Sequence, residues 1–182
     1  MKKLLILAAI LIAAPTYGQT RTVDGNAQGK YFNDVWTSWS DYPIHVYVDL
    51  EANVYIRGGE SLLKATGHIS GKQLKQMIAL LKKSAVWAEK AKDNQIEITK
   101  PLGSFLTETE YHKQGVDLKF FSADKGNQTD VILHIHDFDN MFTEIKLYLN
   151  EDQVQALLGL LQKVPETYRE LKSQKDKSRM LR

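Results

Sequence analysis

The 182-residue sequence contains no cysteine, only four proline residues and 11 glycine residues. The absence of cysteine excludes a disulfide scaffold and every zinc site that is built from thiolates. The low proline and glycine content excludes collagen-like and low-complexity chains, and the 43% of hydrophobic residues is enough for a packed core. The chain is therefore predicted to form one compact domain or two small fused half-domains, stabilised by apolar cores alone.

Motifs for phosphate binding and for nucleophilic hydrolysis are also missing. The Gly-Gly segment at 57–60 has neither the lysine nor the spacing of a P-loop. Around Ser104, Leu102 and Leu106 occupy the two positions where a Gly-x-Ser-x-Gly nucleophile elbow needs glycine. We therefore predict no catalytic residue and no cofactor, and favour a non-enzymatic protein over an enzyme.

Only one long apolar run occurs, and it lies at the start of the chain. Lys2 and Lys3 precede the run Leu4–Ala14, and small and turn-forming residues follow up to Gly18. This order is typical of a secretory signal peptide, because the run is well short of the roughly 20 residues that span a bilayer. We predict that residues 1–18 are a signal peptide and that the processed chain is periplasmic or secreted, without a membrane span.

The formal net charge of +2 comes from the two lysines of the predicted signal peptide. Without residues 1–18, the chain has 22 basic and 22 acidic residues, with the basic residues in excess near the C-terminus. A neutral chain argues against nucleic acid as a partner, because that binding depends on neutralising phosphates. We predict a flexible lead-in over residues 19–34 and a basic helix or tail over 165–182, with Pro165 opening the last helix.

Two segments that lie 80 positions apart carry the same amphipathic pattern. Apolar residues recur at i, i+3, i+4 and i+7 over residues 74–81 and again over 154–161, which is the stripe of a helix that packs on one face. The residues before each stripe have the types of a capping box, namely Ser70 with Gln73 and Asn150 with Gln153. We predict two helices that begin at these caps.

Upstream of each predicted helix, apolar residues alternate with polar ones, as is typical of half-buried strands. The alternating segments are 44–50, 53–57 and 63–69 in the first half and 116–120, 130–136 and 144–149 in the second. We predict an α+β fold of two tandem antiparallel units over residues 35–92 and 93–164, each a sheet of three or four strands followed by one helix. This order of elements resembles the four-strands-plus-helix folds of the Whirly and Pur-type single-strand nucleic-acid binders, which implies such binding as an alternative function.

The segment from His134 to Asp139 has the spacing of a metal site. On a strand, His134 and His136 face the same way, and a His-x-His pair of this kind supplies two ligands to zinc. Asp139, His45 and His112 are the candidates for a third ligand. A small metal-dependent enzyme is therefore a second alternative function, although two solvent-facing histidines on an antiparallel strand account for the same spacing.

Aromatic and basic residues occupy the predicted outward positions of several strands. We predict a ligand-binding surface that includes Tyr47, Tyr55, Arg57, Phe121 and Tyr148. Such side chains stack on sugars, on aromatic ligands or on unpaired bases, or they pair across strands within the protein. Trp36 and Trp39 are predicted to cover the core or to line a ligand groove. The main prediction is a binding or interaction protein of the cell envelope, whose partner is another protein, an envelope polymer or a second copy of the chain.

Overall fold

The computed structural model describes residues 19–60, 63–108, 113–137 and 144–180, so the predicted signal peptide lies outside the described residues. The elements, in chain order, are β1 (Thr20–Thr22), β2 (Ala27–Asn33), β3 (Ser38–Asp49), β4 (Val54–Glu60), β5 (Leu63–Ile69), α1 (Gly71–Asp93), β6 (Ile98–Glu108), β7 (Lys113–Ala123), β8 (Gln128–Asp137), β9 (Glu144–Leu149) and α2 (Glu151–Met180). A short 3₁₀ turn at Asp124–Gly126 lies between β7 and β8.

All of these strands belong to one antiparallel sheet. Its order is β5-β4-β3-β2-β9-β8-β7-β6. The long strand β3 pairs with two strands along the same edge, with β2 through residues 38–44 and with β1 through residues 47–49. Neighbouring strands are consecutive in the chain except at the centre, where β2 and β9 pair through Lys30 and Tyr148. A sheet of this size curls, because the right-handed twist of each strand pair accumulates along it.

The curl turns the sheet into a half-barrel in which the two halves pack against each other. Gly67 on β5 faces Val116 on β7 so closely that a Cβ atom at position 67 would overlap the valine side chain. Gly58 on β4 approaches Leu147 on β9 in a similar way. Glycine at these positions therefore allows the two halves of the sheet to reach van der Waals contact.

The prediction of two tandem sheet-plus-helix units is wrong. One hydrophobic core contains buried residues from both halves of the chain, including Ile56 and Ile69 from the first half and Leu133 and Leu147 from the second. The physical reason is that a unit of about 60 residues buries a smaller fraction of its surface than a joined chain of about 150 residues does. The resemblance to the single-strand binders depended on separate units and is lost with this prediction.

Both helices begin at the predicted caps. Ser70 Oγ accepts a hydrogen bond from the Gln73 backbone N–H at 3.4 Å, and Gln73 Oε1 accepts one from the Ser70 N–H at 2.8 Å. Asn150 and Gln153 form the same reciprocal pair, with both bonds 3.0 Å long. The two predicted capping boxes are therefore confirmed, and each fixes the residue at which the chain leaves the sheet.

The two ends of the described chain differ from their predictions. Residues 19–34, predicted as a flexible lead-in, contain β1 and β2, and Val23 is buried in the core. Pro165 does not open a helix but lies inside α2. Beyond the proline, Leu171 is buried, and Glu170 forms an ion pair of 2.8 Å with Arg21 on β1. The ion pair connects the C-terminal half of α2 to β1, the first strand of the chain.

Candidate ligand-binding surface

The hairpin of β2 and β3 presents large apolar side chains to solvent. Asn33 Oδ1 accepts hydrogen bonds from the backbone N–H groups of Val35 and Trp36, at 3.0 and 3.1 Å. Thr37 completes the turn in the left-handed region, with φ at 46°. Val35 is 82% exposed and Trp36 is 75% exposed. The side-chain bonds of Asn33 order the backbone of this turn, as Asx turns do.

Three aromatic rings lie together behind this turn. Phe32 on β2 and Trp39 on β3 are register partners, with ring centroids 5.1 Å apart. Trp39 also meets Tyr148 on β9 edge to face, again at 5.1 Å. We define Phe32, Trp39 and Tyr148 as the aromatic cluster. The cluster lies on the outer face of the sheet, opposite the core, and Trp39 is held by two rings while it remains 53% exposed.

A row of polar side chains crosses the same outer face beside the aromatic cluster. Ser104, Asp117, His134 and Lys146 are successive register partners on β6, β7, β8 and β9. We define these four residues as the polar row. The Ser104 hydroxyl donates a hydrogen bond to Asp117 Oδ1, and Asp117 Oδ2 lies 4.0 Å from His134 Nδ1. The register of four strands therefore assembles a line of hydrogen-bonding groups.

Glu144 connects two members of the polar row. Its Oε1 atom lies 3.0 Å from His134 Nε2 and 2.9 Å from Lys146 Nζ. The hydrogen bond from Lys146 lowers the pKa of Glu144, outweighing the opposite effect of burial, and the charge of His134 adds to this lowering. The same hydrogen bond raises the pKa of Lys146, to which the charge of Asp34 in the hairpin turn contributes. Lys146 therefore interacts mainly with Glu144, and Asp34 adds only the smallest contribution.

A second polar cluster lies at the turn between β3 and β4. Asp49 Oδ1 accepts hydrogen bonds from the backbone N–H groups of Glu51 and Asn53, both at 2.9 Å. Asp49 Oδ2 accepts hydrogen bonds from the Asn53 side-chain Nδ2 and from the Tyr55 hydroxyl, both at 2.9 Å. Burial raises the pKa of Asp49, but these hydrogen bonds outweigh it and hold the pKa below its usual range. Tyr55 also stacks on His68, whose pKa is lowered by burial. We interpret this cluster as structural, because its hydrogen bonds shape the turn.

The structure does not bring the five predicted ligand-binding residues together. Tyr47 and Tyr55 are register partners on β3 and β4, and Arg57 follows Tyr55 on the same face. Tyr148 belongs to the aromatic cluster on β9, at the centre of the sheet order. Phe121 lies on β7, toward the far end of that order. Of the five residues, only Tyr148 contributes to the aromatic cluster.

Sequence reasoning missed most of this surface. Phe32 fell in the predicted lead-in, although Asn33 and Asp34 are turn-forming residues between two aromatic positions and indicate a hairpin. Trp39 was predicted to cover the core or to line a groove; it lies on the outer face of the sheet and is 53% exposed, so it does not cover the core. Ser104 and Asp117 carry no local signal, because only the register of β6 and β7 brings them into contact.

The predicted metal site lies only partly within the described residues. His134 and His136 are both on β8, and His134 belongs to the polar row. Asp139 and His112 are outside the described residues, whereas His45 is on β3 in the other half of the sheet. Within the ranges that the structure describes, no group of three or more His, Asp or Glu side chains is placed to hold a metal ion. The metal site stays a prediction.

Comparisons with protein-family models, with curated proteins and with solved structures find no match to this chain. In the part of the chain that the structure describes, no helix combines the length and the hydropathy needed to cross a bilayer. What this protein binds is therefore inferred from the chemistry of the outer face of its sheet.

Proposed function

We propose that this protein is an exported, non-enzymatic binding protein of the cell envelope, and that the aromatic cluster and the adjacent hairpin turn form its binding surface. The observation that supports this proposal is the exposure of Val35, Trp36 and Trp39 on one hairpin. Several exposed apolar side chains on one hairpin favour an interaction site, whereas single scattered ones need no such explanation. Tryptophan and tyrosine are also the residue types that contribute most to binding at protein surfaces.

The binding surface is ordered before any ligand arrives. The Asn33 side chain fixes the turn, and Phe32 and Tyr148 restrict the ring of Trp39 from two sides. A side chain that is already held in place loses less conformational entropy when it binds. This order favours partner binding by the hairpin, because a loop whose side chains move freely would lose more entropy on binding.

The charges around the surface favour this function over nucleic-acid binding. Lys30 is the register partner of Asp41, and Lys146 forms an ion pair with Glu144, so both positive charges are balanced by carboxylates. Binding of single-stranded nucleic acid needs a positive groove that follows the phosphate backbone. The metal-dependent enzyme is the other alternative, and no residue arrangement among the described ranges favours it over a binding protein.

Arrays of immobilised peptides and glycans, probed with the purified protein, test the proposal. We expect the natural protein to bind at least one arrayed ligand. The double variant Trp36→Ala/Trp39→Ala should lose this binding, and the variant His45→Ala should retain it. His45 is an exposed ring on the same strand as Trp39, outside the aromatic cluster, so it controls for the removal of any surface ring. Circular dichroism of each variant establishes that the fold is kept. The proposal is overturned if no ligand on either array depends on the two tryptophans.

A further inference from the structure

We infer that a groove between β1 and the C-terminal half of α2 binds a phosphomonoester, that is, a phosphate group with a single ester bond. The groove lies at the opposite end of β3 from the hairpin turn, because β1 pairs with β3 next to Asp49 whereas the turn precedes Ser38. The inference is therefore independent of the proposed function. It gives a role to the basic residues near the C-terminus, which the hairpin surface does not use.

The groove has a volume of about 450 Å³ and is built from two elements. Its lining residues are Arg21, Arg169, Glu170, Ser173, Gln174 and Lys177. Arg169, Ser173 and Lys177 recur at every fourth position, so they lie on one side of α2. Arg21 comes from β1 and forms the other wall. Among the described residues, no hydrophobic side chain lines the groove, which favours a charged ligand over an apolar one.

The two walls of the groove are held together. Arg21 Nη2 lies 2.8 Å from Glu170 Oε2, and this ion pair joins β1 to α2. Leu171, the residue after this glutamate, is buried, and Tyr168 packs against the hydrophobic core. This half of α2 is therefore fixed against the sheet, and a site with fixed walls loses less conformational entropy when a ligand binds.

The basic side chains keep hydrogen-bond donors for a ligand. Arg169 donates its Nε–H to the Pro165 carbonyl at 3.2 Å, and its terminal N–H groups meet no acceptor within the ranges that the structure describes. Lys177 has no hydrogen-bond or ion-pair partner in the same ranges. A guanidinium group presents a planar fork of donors that matches two oxygens of a phosphate, and an ammonium group binds a third as a point charge.

The charge of the lining selects a dianion. Arg21, Arg169 and Lys177 carry three positive charges and Glu170 carries one negative charge, so the groove has a net charge of +2. A phosphomonoester carries a charge of about −1.5 to −2 near neutral pH and balances the groove almost completely. A phosphodiester carries only one negative charge and leaves half of the positive charge unbalanced, so we expect it to bind more weakly.

Titration of the isotope-labelled protein with glycerol phosphate, followed by NMR, tests this inference. We expect the backbone amide signals of residues 20–22 and 169–177 to shift. Dimethyl phosphate, a monoanionic diester, should bind about threefold or more weakly. Arg169→Gln and Lys177→Gln should each raise the dissociation constant of glycerol phosphate by about threefold or more. Lys172→Gln is the matched control, because it removes an exposed positive charge of α2 outside the groove, and it should change the constant by less than about twofold.

Sedimentation with lipid vesicles distinguishes a lipid headgroup from a soluble ester as the source of the phosphate. Phosphatidic acid presents a phosphomonoester, whereas phosphatidylglycerol presents a diester. Binding to phosphatidic acid vesicles alone would identify the headgroup, and binding of glycerol phosphate without vesicle binding would identify a soluble ester. The inference is overturned if neither monoester binds, if the corresponding diester binds equally well, or if Lys172→Gln weakens binding as much as Arg169→Gln does.

Discussion

The indole ring of Trp39 stands edge-on to the phenol ring of Tyr148, with centroids 5.1 Å apart and planes at 88°. The two residues are distant in the sequence, and their strands, β3 and β9, are separated in the sheet by β2. This contact joins the two halves of the chain on the outer face, as the approach of Gly67 to Val116 does on the inner face. The candidate binding surface thus lies where the halves meet.

Removal of the Trp39 ring should destabilise the protein more than removal of the Trp36 ring. We expect Trp39→Ala to lower the free energy of unfolding by about 1–2 kcal/mol, because contacts with two aromatic neighbours are lost. Trp36→Ala should change it by less than about 0.5 kcal/mol, because the Trp36 side chain is 75% exposed. Urea denaturation measures both values. Equal costs for the two variants would contradict the ring contacts of Trp39.

Loss of the helix caps should be measurable at each helix separately. We expect Ser70→Ala and Asn150→Ala each to lower the free energy of unfolding by about 1 kcal/mol, because each leaves a first-turn N–H group without its acceptor. Ser70→Asn retains a capping oxygen and should restore most of the loss. Ser173→Ala, at an exposed position within α2, is the control and should have little effect in chemical denaturation.

The buried carboxylate of Asp49 should make the stability depend on pH in the acid range. Its hydrogen bonds hold the pKa below the ordinary value of 3.8, so the folded state binds fewer protons than the unfolded state there. The stabilisation is complete above the pKa of the unfolded state and is lost as the pH falls through the pKa of the folded state.

Asp49→Asn tests this pH dependence. We expect it to lower the free energy of unfolding by about 1–3 kcal/mol at neutral pH and to flatten the decline in acid, because the titrating group is gone. Denaturation curves recorded from neutral pH down to about pH 2 measure both effects. Asp24→Asn, at an exposed position, should leave the acid decline as it is. An unchanged decline in Asp49→Asn would refute the assignment.

One methyl group added at position 67 should lower the stability markedly, because the two halves of the sheet are in close contact there. We expect Gly67→Ala to lower the free energy of unfolding by about 1–3 kcal/mol, because its Cβ would overlap the Val116 side chain. Gly159→Ala on α2 is the matched control and should raise the stability by about 0.5–1 kcal/mol, because its Cβ meets no atom within 4 Å.

A double-mutant cycle shows whether the cost at position 67 comes from this contact. Val116→Ala makes room for the new methyl group, so Gly67→Ala/Val116→Ala should be less destabilised than the sum of its single variants. Additive costs, measured by urea denaturation, would mean that the half-barrel does not close at this pair.

Features that depend on neighbouring residues were predictable from the sequence. The helix caps at Ser70 and Asn150 follow from side-chain bonds that span three residues, and the apolar stripes follow from the helical period. The alternating strands of both halves also follow from local pattern, since successive side chains of a strand point to opposite faces. Tyr148 was predicted as a ligand-binding residue from this alternation, and the structure places it in the aromatic cluster.

The sequence by itself thus determined the two helices, most of the strands and the outward position of Tyr148, because each depends on the local periodicity of the chain. Only the tertiary structure decided that the halves form one sheet, since nothing near Lys30 or Tyr148 in the sequence specifies that they pair. The same pairing brings the strands of the aromatic cluster next to those of the polar row on the outer face. Sheet register is set by the burial of a shared core, and the binding surface is a consequence of that register.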